Sequence, residues 1–186
     1  MYAVGDLRKG LKIEIEGVPY LITEYSFLKP GKGQAVYTVR MKNLLTGSTM
    51  TKSYRSNESF GEPNIEEKEL RFSYKENEDF VFVDESYEQF SISAEVLGNS
   101  KFFLAEDMKV NAMYFNGQPI EVTLPFFVEK KIVFTEPGAR GNTATNVTKP
   151  ATIEGGYEIH VPLFINQGDT VRIDTRTGDY ADRVSK

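Results

Sequence analysis

The sequence predicts an all-β protein built from small barrels. Three observations carry this. Apolar and polar residues alternate with period two in short runs, most cleanly in Leu11-Lys12-Ile13-Glu14-Ile15-Glu16, the pattern of a half-buried strand. β-Branched and aromatic residues fill such runs, and Gly, Pro and Asn punctuate them at close spacing. Only one stretch, AEVLGNSKFFL over 94–104, reads as helical, and it is short. Many short strands joined by tight turns close into small barrels.

Taken in order, LKIEIEG at 11–17 is a strand ending in a turn at Gly17, and PYLITEY at 19–25 is its neighbour. QAVYTVRMKN at 34–43 is a longer strand, stopped by the turn around Gly47. Gly61, Pro63 and Asn64 then break the pattern and mark a domain boundary. ELRFSY, DFVFVD and QFSIS are three short strands before the helical patch. MYFNGQPIEVTL at 113–124 is a hairpin, because Asn116-Gly117 suits the two positive-φ positions of a type I′ turn. A second boundary falls near Pro125. FFVEKKIVF is a strand, TEPGARGNTATNVTKPAT at 135–152 a long polar loop, and YEIHVPLFI and TVRIDT strands flanking the turn NQGD. The domains expected are 1–64, 65–126 and 127–186, and 186 residues suit that number. No exact internal repeat appears, though the second and third segments match in length and strand density.

Net charge is −5, which taken globally argues against nucleic-acid binding. Its distribution argues otherwise. Residues 1–64 carry nine basic and six acidic side chains, residues 65–126 five and thirteen, and residues 127–186 eight of each. A basic first third beside an acidic middle fits a chain that meets an anion at one end. Cysteine is absent, which excludes disulfides and thiolate metal sites and fits a reducing compartment. The first residues show no apolar signal-peptide core, and no run approaches the roughly 18 apolar residues of a membrane span. A cytoplasmic location without membrane contact is expected.

Catalytic constellations are missing. His160, the single histidine, sits inside a strand pattern with no second histidine or cysteine to build a zinc site and no nucleophile motif beside it. Glu66-Glu67 belongs to a charged surface run rather than to an acid/base pair. Asn57-Glu58-Ser59 and Asn146-Val147-Thr148 match glycosylation sequons but are accidents in a cytoplasmic protein. The expectation is a protein that is not an enzyme and takes no cofactor or metal.

One short stretch stands out. LKPGKGQA, Leu28 to Ala35, joins two strand patterns through Pro30, Gly31, Lys32 and Gly33. It is not a phosphate loop: Gly33 follows the lysine where Ser or Thr is needed, Ser26 stands in place of the first glycine, and a strand follows instead of a helix. It reads as a hairpin tip. Pro30 fixes φ, the two glycines permit positive φ and carry no side chain, and one lysine projects from a thin finger. Such a finger is either an ordinary solubilising turn or a probe for a narrow site.

With KPGKGQA followed by VYTVRMKNLLTG, the chain resembles bacterial translation elongation factor P. KPATIEGGYEIHVPLFINQGDTVRID, Lys149 to Asp174, fits that family's C-terminal signature, and DTRTGDYADR resembles its terminal segment. The resemblance covers all three segments. It implies an SH3-like (KOW-like) first barrel followed by two OB-fold barrels, in an L-shaped, tRNA-like arrangement. It implies a monomer that binds the ribosome between the P and E sites, beside peptidyl-tRNA in the P site, and promotes peptide-bond formation at polyproline stalls. It implies that Lys32 is lengthened by a lysine-modifying enzyme, and Gln34 makes the loop most similar to factors that receive a β-lysyl group.

By the same resemblance, the third-domain loop Gly141-Asn142-Thr143 reads mRNA at the E-site codon, and Tyr180 and Arg183 face the small subunit and the tRNA. The family loop runs Gly-Asp-Thr, so Asn142 is a departure that loses charge and gains donors. Without the resemblance, Tyr180 and Arg183 read as surface residues of a frayed terminus. The alternative function is a free single-strand RNA-binding or chaperoning OB-fold protein, against which the acidic middle speaks.

Overall fold

The computed structural model describes residues 1–138 and 147–184. Among them the chain is almost entirely strand. The strands are β1 (Tyr2–Ala3), β2 (Lys12–Ile15), β3 (Val18–Leu28), β4 (Val36–Asn43), β5 (Thr49–Arg55), β6 (Ser59–Phe60), β7 (Ile65–Glu76), β8 (Asp79–Val83), β9 (Gln89–Ser93), β10 (Lys109–Phe115), β11 (Gln118–Thr123), β12 (Phe127–Thr135), β13 (Thr148–Ile153), β14 (Glu158–Pro162), β15 (Thr170–Asp174) and β16 (Asp179–Arg183). The helical patch yields one turn of α-helix, α1 (Ala94–Leu97), running into a 3-10 turn over Gly98–Phe102. Ser93 caps α1 by accepting from the Val96 N–H at 3.4 Å.

Two compact units form. One joins Met1–Glu67 with Met113–Glu121, and the other joins Lys68–Ala112 with Val122–Lys186. In the first, β2, β3, β4 and β5 make an antiparallel sheet in chain order, and β1 pairs with β6 across its end. The alternation in LKIEIEG does what it predicts: Ile13 is fully buried, and Leu11 and Ile15 pack at the rim of the same core. Val4, Leu7, Ile22, Val39, Met41, Tyr54 and Phe60 complete that core, each large apolar side chain stabilising by roughly 1.5–3 kcal/mol. The edge strand β5 shows little of this pattern. Its sequence TMTKSYR buries only Tyr54, so pairing to β4 rather than apolar periodicity makes it a strand.

The two remaining sheets share one topology. The order β11-β10-β7-β8-β9 is repeated as β14-β13-β12-β15-β16 read from the other edge, so that in each case the first strand is central. In the last sheet the outer strands β14 and β16 meet and close the barrel. This is the partly open five-stranded OB barrel. Asn116 and Gly117, at φ 50° and 80°, make the I′ turn expected between β10 and β11.

One expectation fails here. The polar stretch 135–152 is not all loop, because Thr148–Ile153 forms β13, paired to both β12 and β14. Pro150 conceals it from sequence reasoning, since proline removes a ladder donor. Its carbonyl is engaged all the same, accepting from the Thr135 hydroxyl at 2.9 Å. YEIHVPLFI also stops early, at Pro162, leaving Phe164 exposed beyond the strand.

Within the second unit the middle and C-terminal barrels touch through a small set of groups. Phe102 stacks on Tyr157 with centroids 5.2 Å apart, and Phe103 meets the same ring edge-on at 5.3 Å. The buried Lys130 ammonium donates to the Leu104 carbonyl at 2.7 Å. Burial pulls the pKa of Lys130 down, with the nearby Glu154 partly restoring it.

Candidate functional site

The hairpin β3–β4 carries the site. Its register runs Tyr25↔Val39, Ser26↔Thr38, Phe27↔Tyr37 and Leu28↔Val36, and the chain then leaves the ladder through Lys29–Ala35. Val39 is the last fully buried residue on this path. Everything from Phe27 outward is a projection, roughly 10 Å of strand beyond Tyr25 at about 3.3 Å per residue, plus the loop.

Aromatic contacts stiffen the projection. Phe27 lies 4.9 Å from Tyr37, and Tyr37 lies 6.3 Å from Tyr25, so three rings continue the core outward along one face. Aromatic pairs of this kind contribute about 0.5–1.5 kcal/mol each beyond their buried area. Towards the tip the packing ends: Phe27, Leu28 and Val36 are 52%, 67% and 38% exposed. A monomer gains nothing by showing these side chains to water, and their exposure marks a surface for contact.

Lys32 stands at the end, exposed, with Lys29 behind it. The two glycines beside it differ. Gly33 has φ +154°, a conformation L side chains rarely adopt, and a Cβ there would meet the Pro30 ring at 3.7 Å. Gly31 is not among the positive-φ residues, and a Cβ there would meet nothing within 4 Å. The expectation of permitted positive φ therefore describes a requirement at Gly33 only. At Gly31 the fold itself leaves room for a side chain.

The opposite face of the same hairpin is polar. Glu24, Ser26, Thr38 and Arg40 line a cleft of about 490 Å³ with Thr23, Thr51, Arg8 and Lys9. Thr38 and Ser53 share a hydroxyl hydrogen bond at 3.3 Å, and Arg40 pairs with Glu24 at 3.5 Å. Three cations against one carboxylate, with four hydroxyls between them, suit a phosphate backbone. Sequence reasoning found the excess of positive charge but not this surface. The bulge between Ile22 and Glu24 helps aim it, and a bulge leaves no clear sequence mark.

Tyr180 and Arg183 lie on β16, paired to β15, not on a frayed end. They line one groove of about 790 Å³ together with Phe164, Asp182 and Thr170. The Arg183 guanidinium sits 5.4 Å from the Phe164 ring centre. Partial burial, then Asp182, pushes the Tyr180 pKa up. Phe164 was missed because it reads as the continuation of a strand. Gly141, Asn142 and Thr143 lie outside the described residues. His160 is an exposed residue of β14, and Glu66 and Glu67 are exposed on β7, with Glu67 3.8 Å from Lys12. Among the described residues no cluster of His, Asp and Glu side chains could hold a metal ion, and no helix is long and apolar enough to cross a membrane.

An SH3-like barrel carrying a lysine-tipped hairpin, followed by OB barrels, defines a modular β-barrel protein. The fold is similar to those of known structures. Eukaryotic translation initiation factor 5A from Methanococcus jannaschii aligns with a TM-score of 0.53 at 22% identity, covering 66% of this chain and 93% of that one. A translation initiation factor 5A family protein from Naegleria fowleri aligns with the same score at 20% identity, covering 66% and 96%. The profile of the elongation factor P KOW-like domain matches residues 3–60, that of its OB domain residues 65–122, and that of its C-terminal domain residues 128–183. Elongation factor P of Desulfotalea psychrophila is 44% identical over the full length of both chains, and elongation factor P 2 of Geobacter sulfurreducens 42% over 99% of each. The chain belongs to the elongation factor P family, and is a translation elongation factor.

Proposed function

We propose that this factor binds the ribosome between the P and E sites and uses Lys32 to promote peptide-bond formation at polyproline stalls. The observation that carries the reading is the hairpin: an exposed lysine, Lys32, at the end of an aromatic-stiffened projection, with a basic, hydroxyl-rich cleft against the same two strands. A nucleic-acid backbone held in that cleft would place its end near the tip. The factor need supply no bond chemistry. Proline is a rigid, slow substrate for peptide transfer, and orienting the tRNA end removes part of the entropic barrier. The backbone contact works by counterion release, so its strength falls with salt.

In this reading Lys32 is the acceptor of a modifying group, and Pro30, Gly31 and Gly33 keep its surroundings slim. Tyr180, Arg183 and the loop Gly141-Asn142-Thr143 are the contacts to the small subunit, tRNA and mRNA. The protein works as a monomer in the cytoplasm. The three barrels are 1–64, 65–126 and 127–186.

The test is ribosome co-sedimentation alongside translation of a polyproline reporter, with intact-mass measurement of the native protein. Ribosome binding, rescue and an added mass on Lys32 are expected. Binding to free RNA oligomers with no ribosome association would instead establish the alternative, a free OB-fold RNA-binding protein.

A further inference from the structure

The C-terminal barrel carries a second surface that the hairpin reading does not use. It is built where the loop between the barrel's fourth and fifth strands, Thr175–Gly178, folds back on the residues that enter its first strand. The Thr175 N–H donates to the Phe126 carbonyl at 2.8 Å, and its hydroxyl donates to the Pro125 carbonyl at 2.6 Å. Asp174 then grips Arg176 from three sides. One carboxylate oxygen accepts from the Arg176 backbone N–H at 2.9 Å and from Nε at 3.0 Å, and the other accepts from Nη2 at 2.8 Å. That grip holds the Asp174 carboxyl below its usual pKa range.

The gripped guanidinium is laid on an aromatic pair. Arg176 Cζ sits 4.5 Å from the Phe126 ring centre and 5.7 Å from that of Phe127. Arg172 adds a second guanidinium, 5.0 Å from the Phe127 centre, and is itself bonded to Asp182. Phe126 and Phe127 remain 58% and 44% exposed. The result is a fixed patch of two rings and two guanidinium groups whose charges are neutralised by two carboxylates.

With each guanidinium already held by a carboxylate, the patch has little to offer a phosphate or a charged peptide. It has flat π surfaces and preordered guanidinium planes, which suit a flat, uncharged, polarisable group. It also lies at one of the loops by which OB barrels take oligonucleotides. We infer that Phe126, Phe127 and Arg176 form a stacking platform for one or two unpaired bases of single-stranded RNA, distinct from the basic cleft of the first barrel and from the Tyr180–Arg183 groove. Its strength comes from stacking, so its binding changes little with salt, in contrast to a backbone site whose affinity falls with each phosphate neutralised. The inference goes beyond the role at polyproline stalls and does not depend on it.

The probe is a single-stranded hexaribonucleotide with 2-aminopurine at its centre, whose fluorescence is quenched on stacking, titrated with the full-length protein. Saturable quenching is expected, with affinity changing less than about threefold between 50 and 200 mM salt, below the slope of even two neutralised phosphates. Phe126→Ala and Arg176→Lys are each expected to weaken it at least fivefold; the lysine keeps the charge but loses the plane and the bidentate grip. Thermal melts of both variants confirm that they fold. Three results overturn the inference: no saturable quenching, as expected if the patch docks a protein instead; quenching unchanged in both folded variants; or affinity that collapses with salt, which would place the RNA on the basic hairpin. Polyproline rescue is scored in the same variants, and its loss or survival leaves the stacking result standing on its own.

Discussion

Tyr157 of the C-terminal barrel stacks on Phe102 of the middle barrel at 5.2 Å, with the ring planes 30° apart. Gly178 comes so close behind the same ring that an added Cβ would lie 2.9 Å from the Tyr157 hydroxyl oxygen, at a φ of +80°. The joint between the barrels is therefore closed from both sides. Tyr157→Ala should cost about 2 kcal/mol, from two aromatic contacts, and Gly178→Ala about 1–3 kcal/mol from strain and overlap. Thermal unfolding checks both. In a Tyr157→Phe background the alanine should cost less, because the overlapping hydroxyl is gone; an unchanged cost would show that backbone strain alone sets it.

Lys32 should matter to function and not to folding. At an exposed tip, Lys32→Ala should change stability by no more than about 0.5 kcal/mol and abolish rescue of a polyproline reporter. Lys32→Arg keeps the charge but cannot carry an amide-linked group, so it should fail as well. Full rescue by both variants would remove Lys32 from the mechanism.

The two tip glycines should separate. Gly33→Val forces a β-branched residue to φ +154° and should lower both stability, by about 1 kcal/mol or more, and activity. Gly31→Val meets no atom within 4 Å and should melt like the parent, yet still lose activity because it thickens the finger. Parent-like rescue by Gly31→Val would show that slimness at this position is unimportant.

Tyr54 should report on alkaline stability. Its hydroxyl is buried with no hydrogen-bond partner, and burial, then Glu58 and Tyr20, raise its pKa in the folded state. An acid whose pKa is higher when folded holds its proton longer than the unfolded chain does. Stability should then fall as pH rises past the unfolded value near 10. Tyr54→Phe should remove that contribution to the alkaline fall, and at neutral pH should raise stability by about 1 kcal/mol by deleting an unsatisfied polar group. A steeper alkaline fall in the variant would contradict the sign.

Asn142 bears on codon contact. An aspartate there only accepts hydrogen bonds, whereas an asparagine also donates and avoids repulsion from phosphates. Discrimination among E-site codons should be weaker in this protein than in its Asn142→Asp variant by about 1 kcal/mol, one hydrogen bond's worth. Rescue measured on stalls preceded by different codons decides. A uniform change across codons would assign Asn142 to holding the turn.

The sequence was most legible where one residue type answers to one force. Alternation over Leu11–Ile15 placed Ile13 in the core, and Asn116-Gly117 announced its own turn. The lysine tip was legible because Pro and Gly leave few alternatives for the backbone. What escaped were features made by partners. Strand β5 exists because β4 pairs with it, and β13 exists between two neighbours despite Pro150. Phe164 and Phe126 look like core residues in a linear reading, and only the end of a strand at Pro162 or the return of Thr175 onto Phe126 puts them on the surface. The hydroxyl-lined cleft needs three strands in register before its residues share a face.

The three rings Tyr25, Tyr37 and Phe27 have a consequence for how such a protein can change over generations. They carry the rigidity of the finger outward from the core and stop short of Lys29–Ala35. Apart from Gly33, whose φ the turn requires, the residues at the tip are thereby released from any duty to the fold. Mutations that alter the group presented there are screened for what they do at their target and not for whether the chain survives, so the fingertip is free to explore new chemistry while the scaffold beneath it is inherited intact.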